Sequence, residues 1–176
     1  MAVGSHAWFV RDGTAFTVPS SGTTARESKP GAPDTVWSTR KFGIIEDLEF
    51  DPGRTAPIEV MGPAPGKLVR EDVVDVGEAP KVTFNVAQMD ALAFELAFRT
   101  LALDGSSTQY NPGEKAGPVK GWLKVEQYDS TNVLRNTMDI YGELSLAQPL
   151  KFNPKEITKP SFQFLPLRST LNTGTL

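Results

Sequence analysis

The sequence predicts a mainly β protein: an antiparallel β-sandwich or barrel with one packed α-helix, a long polar loop and extended terminal arms. Three observations predict this fold class. Seven or eight short strand-like runs are present, turn residues separate most of them, and one apolar segment has helical periodicity. Strands joined by short turns favour an antiparallel sheet with the helix packed on it. At 176 residues the chain is expected to form a single domain over residues 1–176.

The predicted strands follow one another along the chain with turn signals between them. Asp51-Pro52-Gly53 suits a turn, because Pro fixes φ and Gly accepts positive φ, and Gly62–Gly66 is expected to break the chain. Asp129–Asn132 predicts a hairpin loop, and Gly142 predicts either a bulge or a close backbone approach. The predicted strands are His6–Arg11, Phe42–Phe50, Pro57–Met61, Lys67–Val76, Lys81–Val86, Val119–Tyr128, Val133–Leu146 and Ser161–Leu165.

One helix is predicted at about residues 86–102. Asn85 and Gln88 have the spacing of a capping box, in which each side chain bonds a backbone N–H at the start of the helix. Gln88, Glu95 and Arg99 fall on one narrow polar stripe, and apolar side chains fill most of the remaining circumference. A helix this apolar must be buried on a broad face, so we expect it to organise the core.

Two long polar segments accompany the strands. Residues 12–36 are rich in Ser, Thr, Gly and Pro and almost free of large apolar side chains. A loop of this length in a compact domain is usually either disordered or functional. The C-terminal arm, residues 147–176, contains four prolines and one candidate strand and ends in polar residues. In an assembly, both segments would have a neighbouring subunit to lie against.

The charge is weakly acidic and unevenly distributed. The net charge is −3, and residues 41–86 carry nine acids against five bases, including the cluster Glu46, Asp47, Glu49 and Asp51. No basic surface that would bind nucleic acid is indicated. The acidic cluster lacks the spaced ligands and central glycine of a calcium loop, so we interpret it as a solvated strand end.

The sequence offers few groups for catalysis or cofactor binding. The single histidine, His6, and the absence of cysteine leave zinc, copper and iron without their usual ligands. Gly62–Leu68 superficially resembles a phosphate loop, but its glycine spacing is wrong and Leu68 stands where Ser or Thr should bind magnesium. We therefore predict no catalytic residues, no cofactor, no metal and no enzymatic activity. Neither a secretory signal nor a membrane span is visible.

Three segments share the pattern and order of a family of structural proteins. They are FGIIEDLEFDPG (Phe42–Gly53), the strand–helix arrangement of residues 81–105, and GWLKVEQYDSTNVLRNTMDIYGELSL (Gly121–Leu146), which a proline-punctuated arm follows. Together they resemble the major tail tube protein of long-tailed, siphovirus-like bacteriophages. The resemblance covers most of the chain from about Phe42 onward, and no catalytic motif contributes to it.

The resemblance implies a β-sandwich or barrel flanked by one helix, of which six copies pair sheet edges into a hexameric ring. Rings stack into a tube, and DNA passes through the lumen without specific binding. Glu46, Asp47, Glu49 and Asp51 are then candidates for lining the lumen, since acids do not hold phosphate groups. The implied partners are further copies of the chain and the tape measure, terminator and distal tail proteins, with no membrane. The implied location is the virion, after assembly in the bacterial host cytoplasm.

Two other interpretations remain open from the sequence. The chain fits a monomeric ligand-binding β-sandwich, such as a carbohydrate-binding module that uses Trp8, Trp37 and Trp122. Such a module predicts ligand binding that Trp122→Ala abolishes without unfolding. A related tail terminator, neck protein or secretion-tube subunit would share the fold and differ in its partners.

Overall fold

The computed structural model describes residues 4–12, 29, 37, 40–53, 58–65, 67–74, 79–87, 89–98, 119–152 and 159–175. These residues form nine strands and a helix. The predicted mainly β fold with a packed helix is confirmed. The elements are β1 (Gly4–Arg11), β2 (Lys41–Asp51), β3 (Ile58–Ala64), β4 (Lys67–Val74), β5 (Lys81–Val86), α1 (Ala91–Phe98), β6 (Val119–Tyr128), β7 (Leu134–Leu146), β8 (Ser161–Pro166) and β9 (Thr173–Thr175).

Six of the strands close into an antiparallel barrel. Their order is β6-β1-β2-β5-β8-β7, and β7 pairs again with β6, so the sheet returns to its starting strand. Closure satisfies the backbone groups that the edges of an open sheet would leave unpaired. β9 adds a short pairing to Thr137–Asp139, in the part of β7 that precedes its pairing with β8.

Most strand predictions agree with the structure to within two residues. The bounds of β5 and β6 are those predicted, and Asp129–Asn132 joins β6 to β7 as expected. The predicted break at Gly62–Gly66 begins too early, because β3 continues through Pro63 to pair Ala64 with Lys67. Within the C-terminal segment, the predicted strand is confirmed as β8, whereas β9 was not predicted.

Phenylalanine rings fill the interior of the barrel. Phe42 lies 5.4 Å from Phe84 and 5.3 Å from Phe162, measured between ring centroids. Phe9 and Phe164 form a further edge-to-face pair at 6.4 Å. All five side chains are fully buried. Each contributes about 1.5–3 kcal/mol of hydrophobic stabilisation, so this cluster dominates the core.

A second apolar cluster covers the outer face of the barrel. Val10, Trp122 and Tyr141 are direct neighbours in register across β1, β6 and β7, and Trp37 packs against them. The Tyr141 hydroxyl donates a 2.5 Å hydrogen bond to Asp12 Oδ2. The chain after β8 closes over this face, where Leu167 and Leu171 pack against the same cluster.

Two glycines allow close contact between neighbouring strands. Gly121 and Gly142 face each other across β6 and β7. A Cβ on Gly142 would lie 2.3 Å from the Leu165 carbonyl oxygen, and one on Gly121 would lie 2.1 Å from that of Val10. Of the two alternatives predicted for Gly142, the structure therefore shows the close backbone approach.

The helix begins later than predicted, so the proposed capping box is wrong. Asn85 remains in β5, where it pairs with Glu46 and donates its side-chain amide to Asp47 Oδ2 at 3.0 Å. The residue that caps α1 is Asp90, whose Oδ1 accepts the Ala93 N–H at 2.7 Å. Tertiary pairing of β5 thus overrides a favourable local signal, and Gln88 lies outside the described residues.

The barrel has two different ends. At one end β1, β5 and β7 finish and β2, β6 and β8 begin, and α1 follows β5 there. We call this the helix end; Leu92, Ala93 and Leu96 of α1 join the core cluster. The opposite end, which we call the mouth, is formed by the other strand termini and by β9.

The long polar loop predicted at residues 12–36 falls outside the described residues, except for Asp12 and Lys29. Lys29 Nζ lies 2.6 Å from Asp139 Oδ2 on β7 and donates to Thr173 Oγ1 on β9 at 2.9 Å. Both charged side chains are three-quarters buried or more. These two contacts fix Lys29 to the outer face of the barrel.

Candidate functional surfaces

The four acids proposed from the sequence all lie on β2, but each has its own environment. Glu46 pairs with Lys159 at 2.8 Å, and Asp47 accepts the Asn85 amide. Asp47 has a φ of 51°, at an irregularity in the pairing of β2 with β5. This irregularity keeps both Ile45 and Leu48 on the core while the acids around them stay at the surface.

The remaining two acids flank Phe50 at the mouth. Glu49 is exposed, and Asp51 lies 3.6 Å from Lys81 Nζ and accepts the Gly53 N–H at 2.9 Å. The structure therefore spreads the four acids along β2, a strand of the barrel, and does not gather them into a single pocket. Among the described residues, no group of three His, Cys, Asp or Glu side chains is placed to hold a metal ion.

A buried ion cluster ties α1 to the barrel. Glu95 is 4% exposed, and its Oε2 accepts a 3.1 Å hydrogen bond from Arg40 Nη1. Arg11 Nη1 lies 3.8 Å from Glu95 Oε1. The helical wheel placed Glu95 on a polar stripe, yet Glu95 itself is buried beside Arg11 at the end of β1 and Arg40 just before β2. One acid in an otherwise apolar helix was the signal for this site, because a buried charge requires a partner.

The tryptophans do not form a surface site. Trp122 is fully buried and Trp37 is 6% exposed, both within the cluster on the outer face. Trp8 is half-buried between two cations, with Lys41 Nζ 5.3 Å and Lys124 Nζ 5.9 Å from its ring centroid. A carbohydrate site built on all three rings is therefore excluded by their positions. Trp122→Ala would open a cavity in a core cluster and would not report on ligand contact.

The β3–β4 hairpin stands apart from the barrel as a two-stranded sheet of its own. Its register runs from Ile58 opposite Val74 to Ala64 opposite Lys67. In the part of the chain that the structure describes, each of the two strands pairs only with the other, so each has one unpaired edge. Val60 and Met61, in the middle of β3, are 41% and 47% exposed.

A cavity of about 300 Å³ opens at the mouth of the barrel. Its apolar wall comes from Leu48, Phe50, Val125 and Met138, while Gln127, Asn136, Thr137 and Thr175 add polar groups. Asn136 donates its amide to Gln127 Oε1 at 2.6 Å, so these two polar groups satisfy each other. Phe50 is 52% exposed at the opening. No sequence pattern predicts this cavity, because it exists only once the ring of strands has closed.

The loop between β6 and β7 is ordered by a single carboxylate. Asp129 Oδ1 accepts hydrogen bonds from the Thr131 hydroxyl at 2.7 Å and from the Val133 N–H at 3.0 Å. Arg135 Nη2 lies 2.6 Å from Asp129 Oδ2. These hydrogen bonds, that of the Thr131 side chain foremost, hold the pKa of Asp129 well below its usual value.

The described helix α1 has eight residues. Within the described residues, no helix is long and apolar enough to cross a membrane.

No protein-family model matches this chain, and no curated protein matches its sequence.

Proposed function

We propose that this protein is a self-assembling structural subunit whose copies form hexameric rings that stack into a tube. The observation that supports this most directly is the β3–β4 hairpin, which carries two unpaired strand edges among the described residues. Unpaired edges accept strands from other chains, and soluble monomers normally protect them. Exposed Val60 and Met61 add apolar area at the same place.

The barrel itself offers little edge for such pairing. Its six strands satisfy one another around the ring. Outside the hairpin, β9 is the other described strand with a single neighbour, and it is three residues long. Pairing between subunits is therefore directed to the hairpin. In this proposal, the hairpin of one subunit adds to its neighbour within the ring.

The acids of β2 fit a lumen that repels DNA. Glu46 and Asp47 lie at the outer surface of the subunit, where an assembly can turn them toward the tube interior. Like charges keep the phosphate backbone from binding, so DNA passes without specific contacts. Here the partners are the tape measure, terminator and distal tail proteins of a phage virion that is assembled in the host cytoplasm. A terminator, neck or secretion-tube protein would share the subunit fold, but it would stop at a single ring or recruit other partners.

Monomeric ligand binding is the second candidate function, and the cavity at the mouth is the observation that favours it. The tryptophans no longer support it, because two of the three are buried. A neutral apolar ligand would suit the cavity, since its described lining residues carry no charge.

Negative-stain electron microscopy with light scattering across a concentration series separates the two candidates. Rings or hollow tubes are expected for the wild type. The double variant Val60→Lys/Met61→Lys is expected to remain monomeric, because two charges on β3 oppose strand addition. Ile44→Lys is the matched control, since Ile44 is 59% exposed on a barrel strand. A wild-type particle that stays at 19.1 kDa under every assembly condition would overturn the proposal.

A further inference from the structure

The two ends of the barrel carry complementary features. At the helix end, Phe152 is 65% exposed, more than any other large apolar side chain among the described residues. Its ring stacks on Phe98 of α1, with 6.5 Å between centroids and 14° between the planes. Lys151, directly before it, is exposed as well. This end therefore presents an aromatic ring beside a positive charge.

The mouth presents the reverse arrangement. The apolar cavity between Phe50 and Met138 opens there, and Glu49 and Asp51 flank Phe50 along β2. An apolar cavity of roughly 150 Å³ is sufficient to hold a benzene molecule. The cavity at the mouth, about 300 Å³, therefore has room for a phenylalanine ring.

Two complementary features at opposite ends of one molecule generate a head-to-tail contact. Such a contact is heterologous, so it leaves one free donor and one free acceptor at the ends of every stack. The contact repeats without closing into a ring when successive copies are related by translation along the barrel axis. A stack built in this way has no fixed length.

We propose that Phe152 of one subunit inserts into the mouth of a second copy of this chain, with Lys151 facing Glu49 and Asp51. This contact stacks one ring upon the next, and it rests on the proposed function, in which the hairpin forms the ring. The apolar ring supplies the fit to the cavity, and the charge pair sets the direction of stacking.

Two variants remove one side of the contact each. Phe152→Asp removes the inserted ring and leaves the mouth intact. Gly174→Phe fills the mouth, because Gly174 lines the cavity and a Cβ there meets only the Thr137 carbonyl oxygen, at an ordinary 3.7 Å. Gly4→Phe is the matched control: Gly4 begins β1 at the same end, and a Cβ on it meets nothing within 4 Å.

Electron microscopy of each variant, and of a mixture of their preformed rings, tests the proposal. Either variant alone is expected to stop at single rings, while Gly4→Phe forms tubes like the wild type. Mixing the two kinds of ring restores one contact, from Phe152 of the Gly174→Phe ring to the open mouth of the Phe152→Asp ring. The mixture should give pairs of stacked rings that do not grow further, which also shows that both variants are folded.

The outcomes separate this inference from the proposed function. Tubes of normal length from both variants would overturn the inference and leave the proposed function standing. A wild type without rings would overturn the proposed function first. Native mass spectrometry identifies the competing occupant: an added small-molecule mass in the wild type that is lost in Gly174→Phe, together with normal tubes from Phe152→Asp, would assign the cavity to a ligand.

Discussion

The closed barrel and the β3–β4 hairpin are both antiparallel, but they satisfy their backbone groups in different ways. Each barrel strand has a neighbour on both sides, and the side chains inside form a continuous cluster around Phe42 and Phe162. In the hairpin, each strand has one neighbour among the described residues, and its apolar side chains Val60 and Met61 face solvent. A two-stranded hairpin is only marginally stable by itself.

Under the proposed function, this difference separates the stability of one subunit from the assembly of several. Substitutions in the barrel act on the free energy of unfolding of one subunit, because the contacts that they remove lie within that subunit. In the proposed assembly, substitutions on the hairpin leave those contacts in place and act on the association of subunits. Five predictions follow from this comparison, beginning with the largest expected effect on stability.

Glu95→Ala should destabilise the subunit by about 3–5 kcal/mol, because it leaves Arg11 and Arg40 without their buried counter-charge. Urea unfolding followed by circular dichroism measures the change. Glu46→Ala is the matched control. Its pair with Lys159 is about half-exposed on both sides, so less than about 1 kcal/mol should be lost. Equal losses in the two variants would show that the cluster does not hold α1 on the barrel.

Gly142→Val should destabilise the barrel by about 1–3 kcal/mol, since its Cβ would press on the Leu165 carbonyl and the Phe164 ring. Gly174→Val provides the comparison, because a Cβ there makes only an ordinary contact. The loss for Gly174→Val is expected to stay within about 0.5 kcal/mol. Thermal unfolding of both variants measures these losses of stability. A Gly142→Val variant as stable as the wild type would contradict the close approach of β7 and β8.

Asp90→Ala should lower the free energy of unfolding by about 1 kcal/mol through the loss of the helix cap, whereas Asp90→Asn keeps an acceptor for the Ala93 N–H and should lower it less.

The contribution of Asp90 to stability also depends on pH. Burial raises the pKa of Asp90 against the lowering effect of its hydrogen bond from Ala93. Its contribution to stability is therefore present below pH 3.8, the ordinary value, and is lost as pH rises through the raised pKa.

Asp129 should show the opposite pH dependence, because its pKa is lowered. Its contribution is present above pH 3.8 and is lost as pH falls through the lowered pKa. The urea concentration at the midpoint of unfolding, measured for each variant between about pH 2 and pH 6, compares the pH dependence of the two sites. Relative to wild type, Asp90→Asn should gain stability as pH rises above 3.8, and Asp129→Asn should gain stability as pH falls below it. A pH dependence of the same sign in both would be inconsistent with these environments.

Val60→Lys/Met61→Lys should change the stability of the single subunit by less than about 0.5 kcal/mol, because both side chains are already exposed. Chemical unfolding at concentrations too low for assembly measures this smallest effect. A loss of several kcal/mol would show that the hairpin belongs to the core of the subunit, and the distinction between barrel and hairpin would no longer hold.

Much of the strand content could be predicted from the sequence. Lys81–Val86 and Val119–Tyr128 alternate apolar and polar residues between turn signals, and the structure reproduces both segments as β5 and β6. The burial pattern of β5 alternates because successive side chains point to opposite faces of a strand, whereas β6 also buries Trp122 in the cluster on the outer face. β9 was not predicted, since Thr-Gly-Thr has no apolar alternation and pairs only because β7 extends beyond β8.

The helix start shows how a local signal fails. Asn85 and Asp90 are both suitable caps by residue type. Asn85 is held in β5 by pairing with Glu46, which lies far from it in the sequence, so the cap passes to Asp90. The candidate acids on β2 were found by composition, whereas the ion cluster at Glu95 and the cavity at the mouth depend on residues that only the fold brings together.

By itself, the sequence determined eight of the nine described strands, where most turns fall and that an apolar helix must be buried, because periodicity and turn chemistry are properties of neighbouring residues. Only the tertiary structure decided that six strands close into a ring, that Glu95 is buried between two arginines, and that the hairpin stands outside the barrel. These features depend on pairing between distant strands. Alternation along a strand specifies which face is buried, but it does not specify the neighbouring strand.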